Sequence, residues 1–283
     1  MNPLTWFAPA WAFLCGVVGS GALEWSLGSI ARMVIGILMA GPVLCGLSQV
    51  INDYCDREVD AINQPERPVP SGLVSLRHIQ IVSFILTVVG SGFALWLGPE
   101  VALLVGVGLL FALSYSLKPI RAKRNGWFGN ALVAISYEGL AWVAGFAAMT
   151  TPDTWGHTLL WQNILLAGLY SLSAHGIMTV NDFKSMAGDA QLGLKSIPVM
   201  YGKKVAAWLV VGKMTVAQVL VIGLLAWWGN PVAAVGVGIL LLVQVVPFRR
   251  FVRDPEHNEV FFNTTGIMLS VWGMLVAALG VAY

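Results

Sequence analysis

Nine apolar runs follow one another along this chain, each close to the roughly twenty residues a helix needs to cross hydrocarbon. They fall at about 6–23, 31–51, 79–97, 100–117, 128–149, 160–180, 204–228, 231–248 and 261–281. Inside a bilayer no water satisfies a backbone N–H or C=O, so runs of this length fold as helices that bond within themselves. Charge is confined to the connections. Apolar residues make up 57% of the 283 positions and charged residues 11%, against roughly a quarter charged in a soluble domain. A water-soluble fold could not cover so much apolar surface. The expected fold class is all-α: a polytopic membrane bundle, read as one integral-membrane domain over residues 1–283, surrounded by membrane lipids and with no nucleic-acid partner. The stretch from Met1 to Leu23 has no basic leader and reads as the first span rather than a cleavable signal. Cys15, Cys45 and Cys55 have neither zinc-ligand nor disulfide-framework spacing and read as free thiols.

Basic residues set the orientation. The connections after spans two, four, six and eight hold fourteen of the sixteen Lys and Arg residues, Arg32 stands alone on the opposite side, and Lys213 lies inside span seven. By the positive-inside rule the longer connections and the N-terminus face the cytoplasm, and the C-terminus lies outside. Gly98-Pro99-Glu100 and Gly229-Asn230-Pro231 read as tight turns between antiparallel helices.

Two of the cytoplasmic connections repeat a pattern. One reads Asn52-Asp53-Tyr54 with Asp56 and Asp60 following; the other reads Asn181-Asp182-Phe183 with Asp189 following. In each, an Asp stands eight residues after the Asn, and a base and a proline come next: Arg67 and Pro70, then Lys195 and Pro198. Four spans separate the copies, so both emerge on one face, as a parallel internal repeat requires. On a helix, Asn52, Asp56 and Asp60 share a face, and Asp182 and Asp189, seven apart, are expected nearly in line. Carboxylates that converge repel one another unless a cation sits among them. An all-oxygen set with few protein ligands suits Mg²⁺, which keeps part of its water and bridges to phosphates. Arg67, Lys118 and Lys195 are the nearby bases for the remaining diphosphate charge. The competing reading is a set of ordinary solvated loop charges; two copies with matched spacing on one face count against it.

These residues resemble the signatures of the UbiA-type intramembrane prenyltransferase superfamily, whose first motif, Asn-x-x-x-Asp-x-x-x-Asp, is met by Asn52, Asp56 and Asp60. The second motif departs from the commoner Asp-x-x-x-Asp form, because Ser185 takes the intermediate place and Lys184 sits between Asp182 and Asp189. That form, with Gly193-Leu194-Lys195-Ser196-Ile197-Pro198-Val199, is similar to the (bacterio)chlorophyll synthase branch. So are Gln64 to Gly72, Lys123 to Asn130 and Ser136 to Trp142. The Tyr137-Glu138-Gly139-Leu140-Ala141-Trp142 stretch and His175 to Thr179 resemble the purple-bacterial members.

The resemblance implies nine transmembrane helices around a central cavity in a bacterial inner membrane. It implies a Mg²⁺-dependent transfer from geranylgeranyl or phytyl diphosphate to the propionate of bacteriochlorophyllide a. Asn52, Asp56, Asp60, Asp182 and Asp189 would hold the metal, with the four aspartates as the catalytic set. Arg67, Lys118, Lys184 and Lys195 would bind diphosphate, and contacts with other pigment-biosynthesis or photosystem-assembly proteins are implied as well. Lys118 follows Tyr115 at the end of span four, at a family position near the diphosphate; the rest of the basic run to Arg124 reads as an orientation signal.

Three acceptor-pocket candidates are Tyr115, Glu138 and His175. Glu138 lies about ten residues into span five, where an acid is expensive unless it pairs or faces a cavity, and both a pocket role and a helix-pairing role stand. His175 reads either as a ligand to the pigment's central magnesium or, preferably, as a satisfied helix contact. Readings from other classes are a transporter with a mid-membrane site and a pigment-holding assembly factor. The nearest alternative within the class is the same chemistry on chlorophyllide or an aromatic ring.

Overall fold

A computed structural model describes residues 3–154 and 156–283. It is all-helical, and among the described residues eight helical segments are long and apolar enough to cross a membrane. The helices are α1 (Phe7–Gly19), α2 (Leu27–Leu38), α3 (Gly46–Asn63), α4 (Leu76–Leu97), α5 (Pro99–Ser116), α6 (Gly126–Ala134), α7 (Ala141–Met149), α8 (His157–Asn181), α9 (Met186–Gln191), α10 (Ile197–Trp227), α11 (Pro231–Arg253), α12 (Glu259–Phe262) and α13 (Met268–Ala282). The pairs α2/α3, α6/α7 and α12/α13 each form one rod through a π-helical segment: Met39–Cys45, Ile135–Leu140 and Asn263–Ile267. Pro42 explains the first of these. It has no N–H to donate and its ring crowds the preceding turn, and a widened turn relieves both.

The nine apolar runs thus become eight long rods and one short one. The first run differs most: α1 has 13 residues, preceded by a 3₁₀ turn at Pro3–Trp6, and chain reversal begins at Ser20 rather than near 23. The seventh differs in its start. α10 begins at Ile197 and is broken at Gly202, whose φ of +78° only glycine adopts freely, so the membrane stretch proper follows from there. Gly98 (φ +145°) and Gly229 (φ +84°) make the two tight reversals expected of them.

Three apolar clusters hold the rods together. One lies among α1, α7, α8, α10, α11 and α13, around the stacked pair Trp142 and Tyr170. A second lies among α1, α2, α4, α5 and α7, around Phe13, Val17 and Met39. α1 and α7 belong to both and form the central seam. They touch backbone to backbone: a Cβ on Gly16 would lie 1.9 Å from the Trp142 carbonyl oxygen, and one on Gly145 2.0 Å from that of Phe13. Without a hydrophobic drive between helices in lipid, such close approach supplies the packing that larger residues would prevent. The third cluster sits at the end carrying the acidic motifs and includes Phe183, Phe248, Phe251 and Phe262, with the Phe251 and Phe262 rings 4.3 Å apart. Outward-facing Phe84, Leu103 and Leu242 are more than two-thirds exposed, as a lipid-facing surface requires.

At the far end Arg32 has a structural task. Its guanidinium donates to the carbonyls of Leu97 (2.9 Å) and Ala148 (3.0 Å), capping α4 and α7, and lies 5.7 Å from the Trp96 ring. A cation at two helix C-termini meets both the orphan carbonyls and the helix dipoles.

Candidate active site

The rods enclose a chamber of about 750 Å³. Its inner part is apolar, built from α1, α5 and α7 by residues such as Phe13, Leu104, Leu109 and Ala144. Its mouth is polar and takes in the start of each acidic motif, Asn52 and Asp53 with Arg67 from the first and Asn181 and Asp182 from the second, together with Asn130 and Tyr115, whereas Asp56, Asp60 and Asp189 do not line it. Tyr115 lies within electrostatic reach of Asp56, Asp182 and Asp189 together.

The first motif lies wholly inside α3, which continues well past the apolar run, so Asn52, Asp56 and Asp60 do share one helical face. Its acids are already paired. Lys123 Nζ sits 2.5 Å from both Asp56 carboxylate oxygens and 2.8 Å from Asn52 Oδ1, and Arg121 Nη2 is 3.0 Å from Asp56 Oδ1. Arg67 Nη1 donates to Asp60 Oδ2 at 2.8 Å. Asp53 points to the chamber.

The second motif is built differently, and the expected alignment of Asp182 with Asp189 does not occur. α8 ends at Asn181, the chain turns through Asp182 to Ser185, and Asp189 rides on the separate α9. Phe183 drives the break: its side chain is 2% exposed and packs edge-on against Phe251, which a straight continuation of α8 would not provide. Ser185 Oγ then ties the turn by donating to Asp189 Oδ2 at 2.9 Å. Asn130 Nδ2 donates to Asp182 Oδ2 at 3.3 Å. Among the described residues neither Asp182 nor Asp189 has a cationic partner. Burial, with Asp189 nearby, pushes the Asp182 carboxyl up to about 7 against the Asn130 hydrogen bond.

Of the expected bases, Arg67 faces the chamber. Lys118, Lys184 and Lys195 are exposed and do not line it. Lys184 pairs with Glu259 at 3.3 Å. Lys195 contributes through its backbone, donating to the Arg124 carbonyl (2.9 Å) and accepting from Gly126 N–H (2.8 Å), which clips the connection before α6 to the one before α10. Two bases that sequence reasoning left out of the site, Arg121 and Lys123, reach the first motif instead. Asp53 and Asn181, also outside the expected set, line the mouth, and the repeat itself was the signal for these two, since it aligns Asn52-Asp53 with Asn181-Asp182.

Tyr115 and Glu138 line the chamber and His175 does not. Glu138 sits on the π-helical segment Ile135–Leu140, is 7% exposed, and its Oε2 has no hydrogen-bond partner. A buried carboxyl oxygen without a partner is an uncommon group that calls for an explanation. Next to it, the Tyr137 hydroxyl is held by Ser48 (3.1 Å) and Cys45 (3.2 Å). His175 is fully engaged elsewhere: Nε2–H donates to the Trp127 carbonyl (3.1 Å), and Nδ1 accepts from Lys213 Nζ at 2.8 Å. With both nitrogens used it ties α8 to α6 and α10, as the helix-contact reading expects.

Mg²⁺ fits the first motif on one observation. Three oxygens, two from Asp56 and one from Asn52, already converge on a single cationic nitrogen within 2.8 Å. Among the described residues no three His, Cys, Asp or Glu side chains form a ready metal cluster.

Comparison with known proteins gives a consistent answer. The chain is 62% identical to the bacteriochlorophyll synthase 34 kDa chain of Chloroflexus aurantiacus, over all of this chain and 88% of that one. It is 43% identical to the bacteriochlorophyll synthase 33 kDa chain of Cereibacter sphaeroides, over 99% and 91%. In fold it is similar to a UbiA homolog from Archaeoglobus fulgidus bound to DMAPP and Mg²⁺, with TM-score 0.65, 18% identity, and 99% and 100% of the two chains covered. The UbiA prenyltransferase family itself matches over residues 7–269. The match runs along nearly the whole bundle and includes both asparagine-aspartate pairs at the chamber mouth, and the chain belongs to the UbiA prenyltransferase family.

Proposed function

We propose that this chain is a bacteriochlorophyll synthase. It joins the propionate of bacteriochlorophyllide a to a geranylgeranyl or phytyl chain supplied as the diphosphate, in a bacterial inner membrane with the acidic motifs on the cytoplasmic face. One observation carries the reading: in a single chamber of about 750 Å³, a polar mouth bearing Asn52, Asp53, Asn181 and Asp182 opens directly onto an apolar interior. A prenyl diphosphate has the same division, a polyanionic head and a long apolar tail. The similarity to bacteriochlorophyll synthases along the whole chain supports the choice of acceptor.

The chemistry asks little of the protein beyond placement and charge. The allylic C1–O bond breaks with its electron pair leaving on the diphosphate, and a propionate oxygen forms the new C–O bond. A propionate is ionised at neutral pH, as a free Glu side chain would be, so no strong general base is needed. Mg²⁺, bound through Asn52, Asp56, Asp60, Asp182 and Asp189, would supply charge stabilisation for the leaving diphosphate. Arg67 faces the same mouth and adds a planar, two-pronged donor for phosphate oxygens. The apolar wall excludes water from the allylic cation. Tyr115 at the mouth and Glu138 in the wall meet the acceptor, Glu138 through its unpartnered Oε2.

The test is ester formation by the purified chain with geranylgeranyl diphosphate and Mg²⁺, offering bacteriochlorophyllide a and chlorophyllide a side by side. Preferential esterification of bacteriochlorophyllide a is the expected result. No ester with either pigment, or preference for an aromatic ring, overturns the reading. For Glu138, the Glu138→Gln chain raises the acceptor KM with little change in the prenyl diphosphate KM; equal values for both substrates remove its role.

A further inference from the structure

Lys123 holds a position that an orientation signal does not require. Its ammonium carries three N–H donors, and all three acceptors within reach belong to the first motif: both oxygens of Asp56 at 2.5 Å and Asn52 Oδ1 at 2.8 Å. The side chain is 12% exposed. We propose that Lys123 is a resident stand-in cation, occupying in the metal-free protein the point between Asn52 and Asp56 where a divalent ion binds, and giving it up when the ion arrives. This rests on the metal-binding part of the functional reading and adds to it the state of the site before loading.

The surroundings favour exchange over a fixed structural pair. The connection that carries Lys123 is already secured by its backbone. Arg121 N–H donates to the Leu117 carbonyl at 2.7 Å, and the two hydrogen bonds with Lys195 clip the far end. Asn125 Oδ1 accepts from the Trp127 N–H at 2.9 Å and starts α6. Gly129 lets α6 press on the Lys123 backbone, where an added Cβ would come within 3.0 Å of the Lys123 Cα. Arg121 sits at φ +38°, a left-handed conformation that a non-glycine residue adopts only when its surroundings enforce it. With the main chain fixed on both sides, the ion pair is not needed to hold the loop. The four-carbon lysine stem can swing while the backbone stays still. Arg121 would remain as the second partner of Asp56, so the carboxylate is never left bare.

The arrangement has a physical rationale. Half-buried carboxylates without a counterion repel neighbours and drift from a productive geometry. An internal ammonium keeps the oxygens converged, at the expense of weaker metal binding, because the ion must displace it.

Mn²⁺ serves as the probe, titrated into the purified full-length chain with no prenyl diphosphate and no pigment, with free Mn²⁺ followed by electron paramagnetic resonance. Lys123→Met is expected to bind Mn²⁺ on the order of tenfold more tightly than the unaltered chain, since the competitor is gone. Without metal it should melt at a lower temperature, and saturating Mn²⁺ should close the gap. Lys123→Arg, which keeps the charge, should resemble the unaltered chain in affinity. A cooperatively melting Lys123→Met chain that binds Mn²⁺ no more tightly overturns the proposal. A second measurement needs no variant: labelling of the Lys123 amine, quantified by mass spectrometry, should rise several-fold when Mn²⁺ is added, and unchanged labelling also overturns it. No saturable Mn²⁺ binding in any of the chains defeats both this proposal and the metal part of the functional reading. Mn²⁺ behaviour as expected, with no pigment ester formed, defeats only the choice of acceptor.

Discussion

The two acidic motifs look alike in sequence and differ in electrostatic state. In the first, Asp56 has two cationic partners and Asp60 has one. In the second, Asp182 and Asp189 are met by an amide and a hydroxyl, and among the described residues by no cation. The first is a regular helix whose register fixes the acids; the second is a turn held by a buried phenylalanine. Similar sequence has therefore given one motif whose Asp56 and Asp60 are already neutralised by bases and one whose acids, among the described residues, meet none.

The largest expected effect tests whether both motifs are needed. Asp56→Ala and Asp182→Ala should each lower the rate of ester formation by at least about a hundredfold, as removal of a transition-state charge stabiliser does. Near-normal turnover in either would break the symmetry of roles. The next test separates the motifs by stability in chelator. Asp56→Asn strands Lys123 and Arg121 beside a neutral group and should destabilise the chain by about 1–3 kcal/mol. Asp182→Asn should be neutral to slightly favourable at pH 7, because a buried acid without a counterion is replaced by an amide. Thermal melting in detergent reads both, and equal losses would erase the contrast.

The pH profile sharpens it further. Because burial raises the Asp182 carboxyl from its ordinary 3.8 to about 7, the folded chain holds that proton more tightly than the unfolded one. The stability it contributes is complete below about pH 4 and is lost as pH rises through about 7. The metal-free melting temperature should decline across that window, and Asp182→Asn should flatten the decline; an unchanged slope would count against the buried, uncompensated state of this acid. The smallest effect is expected at Lys184. It is 65% exposed and, among the described residues, paired with Glu259 alone, so Lys184→Ala should shift stability by less than about 0.5 kcal/mol and turnover by less than about twofold. A large loss of diphosphate affinity would return it to the site.

Much of this arrangement was legible in the sequence. Hydrocarbon thickness sets the length of the apolar runs, and nothing else in the chain competes with that signal, so the helices emerged where expected, α1 being shorter. The i, i+4 spacing of Asn52, Asp56 and Asp60 survived because α3 is a plain helix. The break at Asp182 was hidden because its cause is long-range: Phe183 finds Phe251, nearly seventy positions away in the chain. Lys123 was hidden for a similar reason. Its reach depends on a left-handed Arg121 and on a backbone clip to Lys195, neither of which local composition reveals. The π-helical turn that carries Glu138 left no mark in hydropathy, yet it decides which wall that carboxyl faces.

The glycine contact between α1 and α7 has a bearing on how acceptor preference can change. With two main chains in direct touch at Gly16 and Gly145, that side of the chamber behaves as a keel, unable to give way or to take on bulk. Tailoring for a larger or differently decorated ring would have to come from side chains elsewhere in the lining, such as Leu104 and Leu109 of α5 and Met268 and Val271 of α13. A search for variants with altered acceptor choice belongs at those four positions.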